Sequence, residues 1–393
     1  MGKKKILWVV YDFVQAGGQR YVFEICKALN KEKYQIDFLK VAPMGHDKNW
    51  VSEFYYKPTL ELGCSIYFWT DLVTQKMELP KSFLYKLNHF FKRKINVIFF
   101  KRNTESVLKT SDASLLHDFF SRYDHVNFSG TSVYKALCIN QNLHPQNGII
   151  HILTARFQDD TLYDGYDKNL KYNFISPIIK DSLKNELCDF NDYSYSHYPM
   201  CFDAEPFEIA MRSNCRSLII GVFTRLSPMK PLDPYFYALK LLLEQGVDVV
   251  LHIYGAGDPF KMGLLRQLQY LYIIDKVKFL GHTESIPDTL KSTQIDLVWF
   301  QAGNKQPAGY AAFEISMGGL PQVFWDFMDI GQIHPIEEYF ASFSNLTDFV
   351  KHTKYLLLSQ ELLKETGIKQ KDYVLKNYSS KNHIHILEDI FDK

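Results

Sequence analysis

Three stretches of the sequence hold residue types that do chemistry together. The first, "TRLSPMK", spaces Arg225 and Lys230 as R-x4-K around Pro228. A guanidinium offers a fork of donors and an ammonium a compact charge, so two such cations on one loop neutralise a diphosphate. Taken alone, the pair reads better as two solvated surface charges, and it is the company of the other stretches that favours a ligand. The second, "IYGAGDP", holds Gly255 and Gly257, which let backbone approach a ligand closely, as they also would in an ordinary turn. The third, "QPAGYAAFE", sets a helix start at Ala308, Gly309 and Tyr310, whose first-turn amides receive phosphate or sugar oxygens. Glu314 follows about one turn into that helix. An acid at this depth is commonly a cap or ion-pair residue, and it is also the natural clamp for a vicinal diol such as ribose.

The elements that would position these residues follow from the apolar pattern. From Arg216 the chain alternates short β-rich runs with helical ones: "SLIIGVF", "YFYALKLLLEQG", "VDVVLHIYG", "LLRQLQYLY", "VKFLG", "IPDTLKS", "IDLVWF", "AAFEISM", "PQVFW". That alternation predicts a parallel sheet covered by helices on both faces. Ligands bind such sheets beyond the carboxyl ends of the strands, where all three stretches fall. The start of the chain repeats the theme. Ile6 to Val10 reads as a buried strand, "DFVQAGGQR" as a glycine loop, and "YVFEICKALNK" as a helix with Val22, Ile25, Cys26 and Leu29 at helical spacing. "DHVNF" and "GIIHIL" read as further buried strands. A chain of 393 residues exceeds the usual growth of one core and implies two domains, with "YPMCFDAEPFEIAMRSNCRS" as the link.

Composition excludes several classes of function. Lys+Arg 45 against Asp+Glu 44 gives a net charge of +1, so no global field draws the protein to nucleic acid. Six cysteines without a CxxC pair indicate neither a zinc site nor a disulfide framework, and suit a reducing cytoplasm. The apolar run Ile6 to Val10 is too short for a signal peptide or a membrane span. Aromatic residues reach 15%, which suits sugar-binding or interfacial surfaces as well as cores filled with Phe. Leu79 to Asn103 contains Lys81, Lys86, Lys92, Arg93, Lys94, Lys101 and Arg102 and no acid, with Phe83, Leu84, Leu87, Phe90 and Phe91 along one helical face. Two readings stand for it: a peripheral helix lying in an anionic headgroup layer, or a core-facing helix with a solvated basic side.

Read together, "TRLSPMKP", "IYGAGDP", "VKFLGHTESIPDTLKSTQIDLVWF" and "QPAGYAAFEISMGGLPQV" resemble the retaining GT-B glycosyltransferases of the glycogen synthase-like, group 1 (family 4) type. "AGGQRYVFEICKALNK" is similar to that group's glycine loop and first helix, and "YPMCFDAEPF" to its interdomain segment. The resemblance implies two Rossmann-like domains with parallel sheets facing a central cleft. Residues 1–205 would bind acceptor, 206–375 nucleotide sugar, and 376–393 would form a helix crossing back to the first domain. It further implies that Arg225 and Lys230 hold the donor diphosphate and stabilise the leaving nucleotide, the part a metal plays elsewhere. No DxD motif is present, and neither metal nor cofactor is expected. Glu314 would take the ribose hydroxyls, Gln306 the donor sugar, Gly255, Ala308, Gly309 and Tyr310 further donor groups, and Gly17 and Gly18 the donor phosphates. The implied partners are a nucleotide sugar, with uridine diphosphate favoured, and a saccharide, glycolipid or glycoprotein acceptor.

Two positions depart from the pattern. Gln306 stands where the group has Glu, which exchanges a charged hydrogen bond for a neutral one and weakens donor grip by roughly 1 kcal/mol. Thr154 stands where the group often has His; His151, three residues earlier, reads as a buried structural residue. These departures support a rival expectation, a noncatalytic protein of the same fold that binds a glycan, a peptide or a partner glycosyltransferase.

Overall fold

The computed structural model describes residues 2–42, 53–69, 72, 111–138, 143, 145–153, 170–175, 194–210, 217–227, 230–260, 262–302, 309–326 and 339–392. They form two compact units, Met1–Pro199 with Ile384–Lys393, and Met200–His383.

In the first unit, strands β1 (Lys4–Val10), β2 (Tyr34–Lys40), β3 (Ser65–Phe68), β4 (His125–Phe128), β5 (Gly148–Ile152), β6 (Lys171–Phe174) and β7 (Ser194–His197) lie parallel in the order β3-β2-β1-β4-β5-β6-β7. Ile6 to Val10 are buried throughout, as an unbroken apolar run requires of a central parallel strand. Helix α1 (Gly17–Ala28) buries Tyr21, Val22, Ile25 and Cys26, the face its periodicity marks. Helices α2 (Tyr56–Glu61), α3 (Ser111–Phe120) and α4 (Thr131–Leu137) complete the described helices before residue 200.

A polar thread crosses the interior of this unit. Ser196 Oγ donates to Asn173 Oδ1 at 3.1 Å, and Asn173 Nδ2 to the Tyr21 hydroxyl at 3.0 Å. That hydroxyl lies 3.0 Å from His151 Nδ1, and His151 Nε2 lies 3.0 Å from Asn127 Oδ1. Asn127 Nδ2 closes the thread on the Leu7 carbonyl at 3.4 Å. A carbonyl only accepts, so Asn127 turns its nitrogen to Leu7 and its oxygen to His151, which fixes the imidazole proton on Nε2. Burial pushes His151 down to about 3 and keeps it neutral. The histidine that the sequence offered as structural is fully buried, with Trp8 packed on its ring at 4.5 Å.

The second unit holds β8 (Leu218–Phe223), β9 (Val249–Tyr254), β10 (Val277–Gly281), β11 (Leu297–Ala302), β12 (Gln322–Asp326) and β13 (Ser342–Phe343), parallel in the order β10-β9-β8-β11-β12-β13. Its helices are α5 (Asp233–Glu244), α6 (Leu264–Tyr270), α7 (Ile286–Ser292), α8 (Tyr310–Met317), α9 (Leu346–Leu357) and α10 (Gln360–Tyr378), followed by α11 (Ser380–Asp392). Side chains of Ser285, Asn345 and Ser359 cap α7, α9 and α10, so these helices begin where the sequence supplies a capping oxygen. Trp299 anchors the core, stacked on Tyr235 at 5.4 Å and donating to Thr353 Oγ1 at 3.1 Å.

The chain passes from the first unit to the second at Pro199–Met200, within the expected link, and the residues that follow belong to the second core. Phe202 stacks on Phe313 at 6.1 Å, and Phe207 N–H donates to the Met317 carbonyl at 3.3 Å. On the return, α10 runs unbroken to Tyr378, and it is from Ile384 that α11 packs in the first unit. There the Phe391 carbonyl accepts from Lys4 Nζ at 2.8 Å and His125 Nε2 at 2.7 Å, and the Tyr34 hydroxyl donates to Asp392 at 2.8 Å.

Candidate functional site

Strand β8 is flanked by β9 and β11, so successive crossovers run away from it in opposite directions. A sheet wound this way leaves a crevice between the carboxyl ends of the two strands where the direction reverses. The loop after β8 carries Arg225 and Lys230; the helix after β11 carries Glu314. The structure thus brings these three residues to the carboxyl edge of one sheet, on the two connections that border the switch point. Arg225 is exposed, and Lys230 and Glu314 are half-buried.

Local backbone bonding explains the loop's course. Thr224 N–H donates to the Tyr254 carbonyl at 2.9 Å and Leu226 N–H to the Ala256 carbonyl at 2.8 Å, which ties the first half of the loop to the loop after β9. Gly255 N–H donates to the Gly281 carbonyl at 2.7 Å, which ties that loop in turn to the end of β10. A Cβ on Gly255 would overlap the Thr224 carbonyl, and one on Gly257, at φ +138°, would overlap Leu226. The close approach that these glycines permit is therefore made by the neighbouring backbone, and they shape the cation loop.

Helix α8 begins at Gly309, an exposed N-cap in extended conformation, with no side chain capping it. Its acid is explained by its faces. Tyr310, Ala312, Phe313, Ile315, Ser316 and Met317 are buried, whereas Ala311 and Glu314 form the half-buried stripe. Glu314 lies about 6 Å along the axis from the helix start, at 1.5 Å per residue. The Tyr310 ring turns into the core, its hydroxyl donating to the Cys201 carbonyl at 3.2 Å, so only its main chain is at the crevice side. Gln306, Ala308 and Thr154 lie outside the described residues, as does the basic segment 79–103.

Gly17 and Gly18 open α1 in the first unit. A Cβ on Gly18 would press on Leu153 at 3.1 Å, while Gly17 faces open space. The turn before them is held by Asp12, which accepts from Gln19 Nε2 at 2.6 Å and whose carboxyl is raised above the usual carboxylate range, chiefly by burial. The visible signal of this pair in the sequence is an Asp that follows an apolar strand and precedes a glycine loop. Gln301 lies beyond the run "IDLVWF" that marks the strand in the sequence, on a β11 that continues to Ala302.

A cavity of about 190 Å³ lined by Gln322, Tyr339, His352 and Gln370 opens near the start of β12, at the amino end of that strand, and is separate from this constellation. Among the described residues no three His, Cys, Asp or Glu side chains group as metal ligands, and no helix is long and apolar enough to cross a membrane.

No protein-family model matches the chain, and no curated protein matches it in sequence. Solved structures do. S. aureus TarM is 14% identical with a TM-score of 0.70, each chain covered to 99%. Anabaena HepE in complex with UDP and glucose is 12% identical with a TM-score of 0.66, covering 99% of this chain and 100% of its own. The sucrose-phosphate synthase of Thermosynechococcus elongatus is 12% identical at 0.65, covering 99% and 98%. The likeness shows the fold: two parallel sheets clothed by helices, the GT-B fold of these glycosyltransferases.

Proposed function

We propose that the chain is a glycosyltransferase that moves a sugar from a nucleotide-sugar donor, a uridine diphosphate sugar first among them, to a saccharide, lipid-linked or protein-borne acceptor. The observation that carries this reading is the pair of cations on the loop after β8, bordering the same switch point as the Glu314 helix after β11. Solution of HepE with UDP and with UDP-glucose supports the choice of base.

In this reading Arg225 and Lys230 bind the diphosphate and stabilise the charge that collects on it as the bond to the sugar breaks. The cations supply without metal what a metal supplies elsewhere. Glu314 accepts hydrogen bonds from the ribose hydroxyls. The main chain at Ala308, Gly309 and Tyr310 and the amide of Gln306 orient the sugar, and Gly17 and Gly18 bring first-unit backbone to the donor phosphates. Transfer proceeds with retention, donor and acceptor meeting on one sugar face, so that the protein positions the reactants rather than attacking.

The test is nucleotide release from a panel of nucleotide sugars, with and without saccharide acceptors. Release that requires Arg225 and Lys230, persists in chelator, and yields a product of unchanged anomeric configuration by NMR is the expected result. Nucleotide-sugar binding without release under any acceptor would make the protein a noncatalytic binder.

A further inference from the structure

Gln301 stands one residue from the end of β11, on the face that Trp299 shares, and pairs in register with Trp325 of β12. Its Nε2 donates to the carbonyl of Pro231, the residue after Lys230. A carbonyl only accepts, so the amide nitrogen must face Pro231. Oε1 is then left buried without a partner, and so is the indole N–H of the neighbouring Trp325. An unsatisfied buried acceptor destabilises a fold, so an apolar side chain of equal length would serve packing at least as well. What glutamine alone supplies here is the N–H to Pro231.

We propose that Gln301 is a positioning residue of the donor site, clipping the Lys230 half of the cation loop to the end of β11 across the switch point. The first half of that loop is tied to β9 through Thr224 and Leu226. Gln301 ties the second half to the other wall, so that the Lys230 ammonium is presented to the diphosphate at a fixed height. The inference rests on the donor-site reading above.

A double-mutant cycle on the full chain tests it, with UDP titrated by calorimetry and thermal unfolding followed in parallel. Gln301→Met is expected to weaken UDP binding about tenfold, the loss of one positioning hydrogen bond, with Tm unchanged or raised. In the Lys230→Ala background the same substitution is expected to cost nothing further, because Gln301 acts through that lysine. Gln301→Glu, which keeps the volume and removes the donor, replaces the Met variant if the latter folds poorly. Undiminished UDP binding by these variants, or an equal loss with and without Lys230, overturns the proposal while leaving the donor site standing. Failure of the wild-type protein to take up UDP or any other nucleoside diphosphate overturns the donor-site reading itself, and Gln301 with it.

Discussion

The two units wind their sheets in the same way, with the first strand flanked by the second and the fourth, yet they place their polar residues differently. At the switch point of the second unit the polar groups stand outside the core: Arg225 is exposed, and Lys230 and Glu314 are half-buried. In the first unit a hydrogen-bonded chain runs inside, from Ser196 through Asn173, Tyr21 and His151 to Asn127. In the proposed reading the charges at that edge meet the donor. Neutral polar groups satisfied end to end in a core are placed to fix strand positions. Sheets of the same winding thus differ in where their polar groups stand, at the edge in one unit and inside the core in the other.

The largest expected effect is on the interior thread. His151→Ala strips a donor from Asn127 and an acceptor from Tyr21 and leaves a cavity, and is expected to cost about 3–5 kcal/mol in denaturant unfolding. A loss below about 1 kcal/mol would refute its structural role. The same residue sets a pH dependence. Unfolded, His151 takes up a proton near 6.5; folded, it holds out to about 3, so protonation favours the unfolded chain between those values. Stability is expected to fall by up to about 1.4 kcal/mol per pH unit below 6.5 from this group alone, a slope that His151→Ala should remove.

Gly255→Ala comes next. The added methyl meets the Thr224 carbonyl and is expected to cost about 1–3 kcal/mol and to push the cation loop out of place, lowering transfer as well as Tm. Full activity in that variant would separate loop shape from function. Glu314→Gln should raise the donor KM about tenfold with kcat little changed, because one charged hydrogen bond to ribose becomes neutral; an unchanged KM would return Glu314 to a structural role. The smallest effect is expected of Gln306→Glu, a change of donor preference worth about 1 kcal/mol, read from relative kcat/KM across nucleotide sugars.

The second unit was the more legible in sequence, and for a physical reason. Its strands alternate with helices at short, regular spacing, and its candidate site residues, Arg225 and Lys230 in a loop and Glu314 near a helix start, stand out against apolar neighbours. The thread of the first unit was hidden because Asn127, His151, Asn173 and Ser196 come from four strands, and only pairing in the folded sheet makes them one chain. Gln301 was missed at a strand end, where periodicity is weakest. Gly255 was seen for its conformational freedom, but sequence does not reveal whether a ligand or a neighbouring carbonyl takes the space.

The most direct measurement is calorimetric titration of UDP into the wild-type protein and into Arg225→Ala/Lys230→Ala. Saturable binding by the wild type, lost in the double variant at unchanged Tm, is the result expected of two cations bordering a nucleotide crevice. Equal binding by both proteins, or none by the wild type, would contradict it.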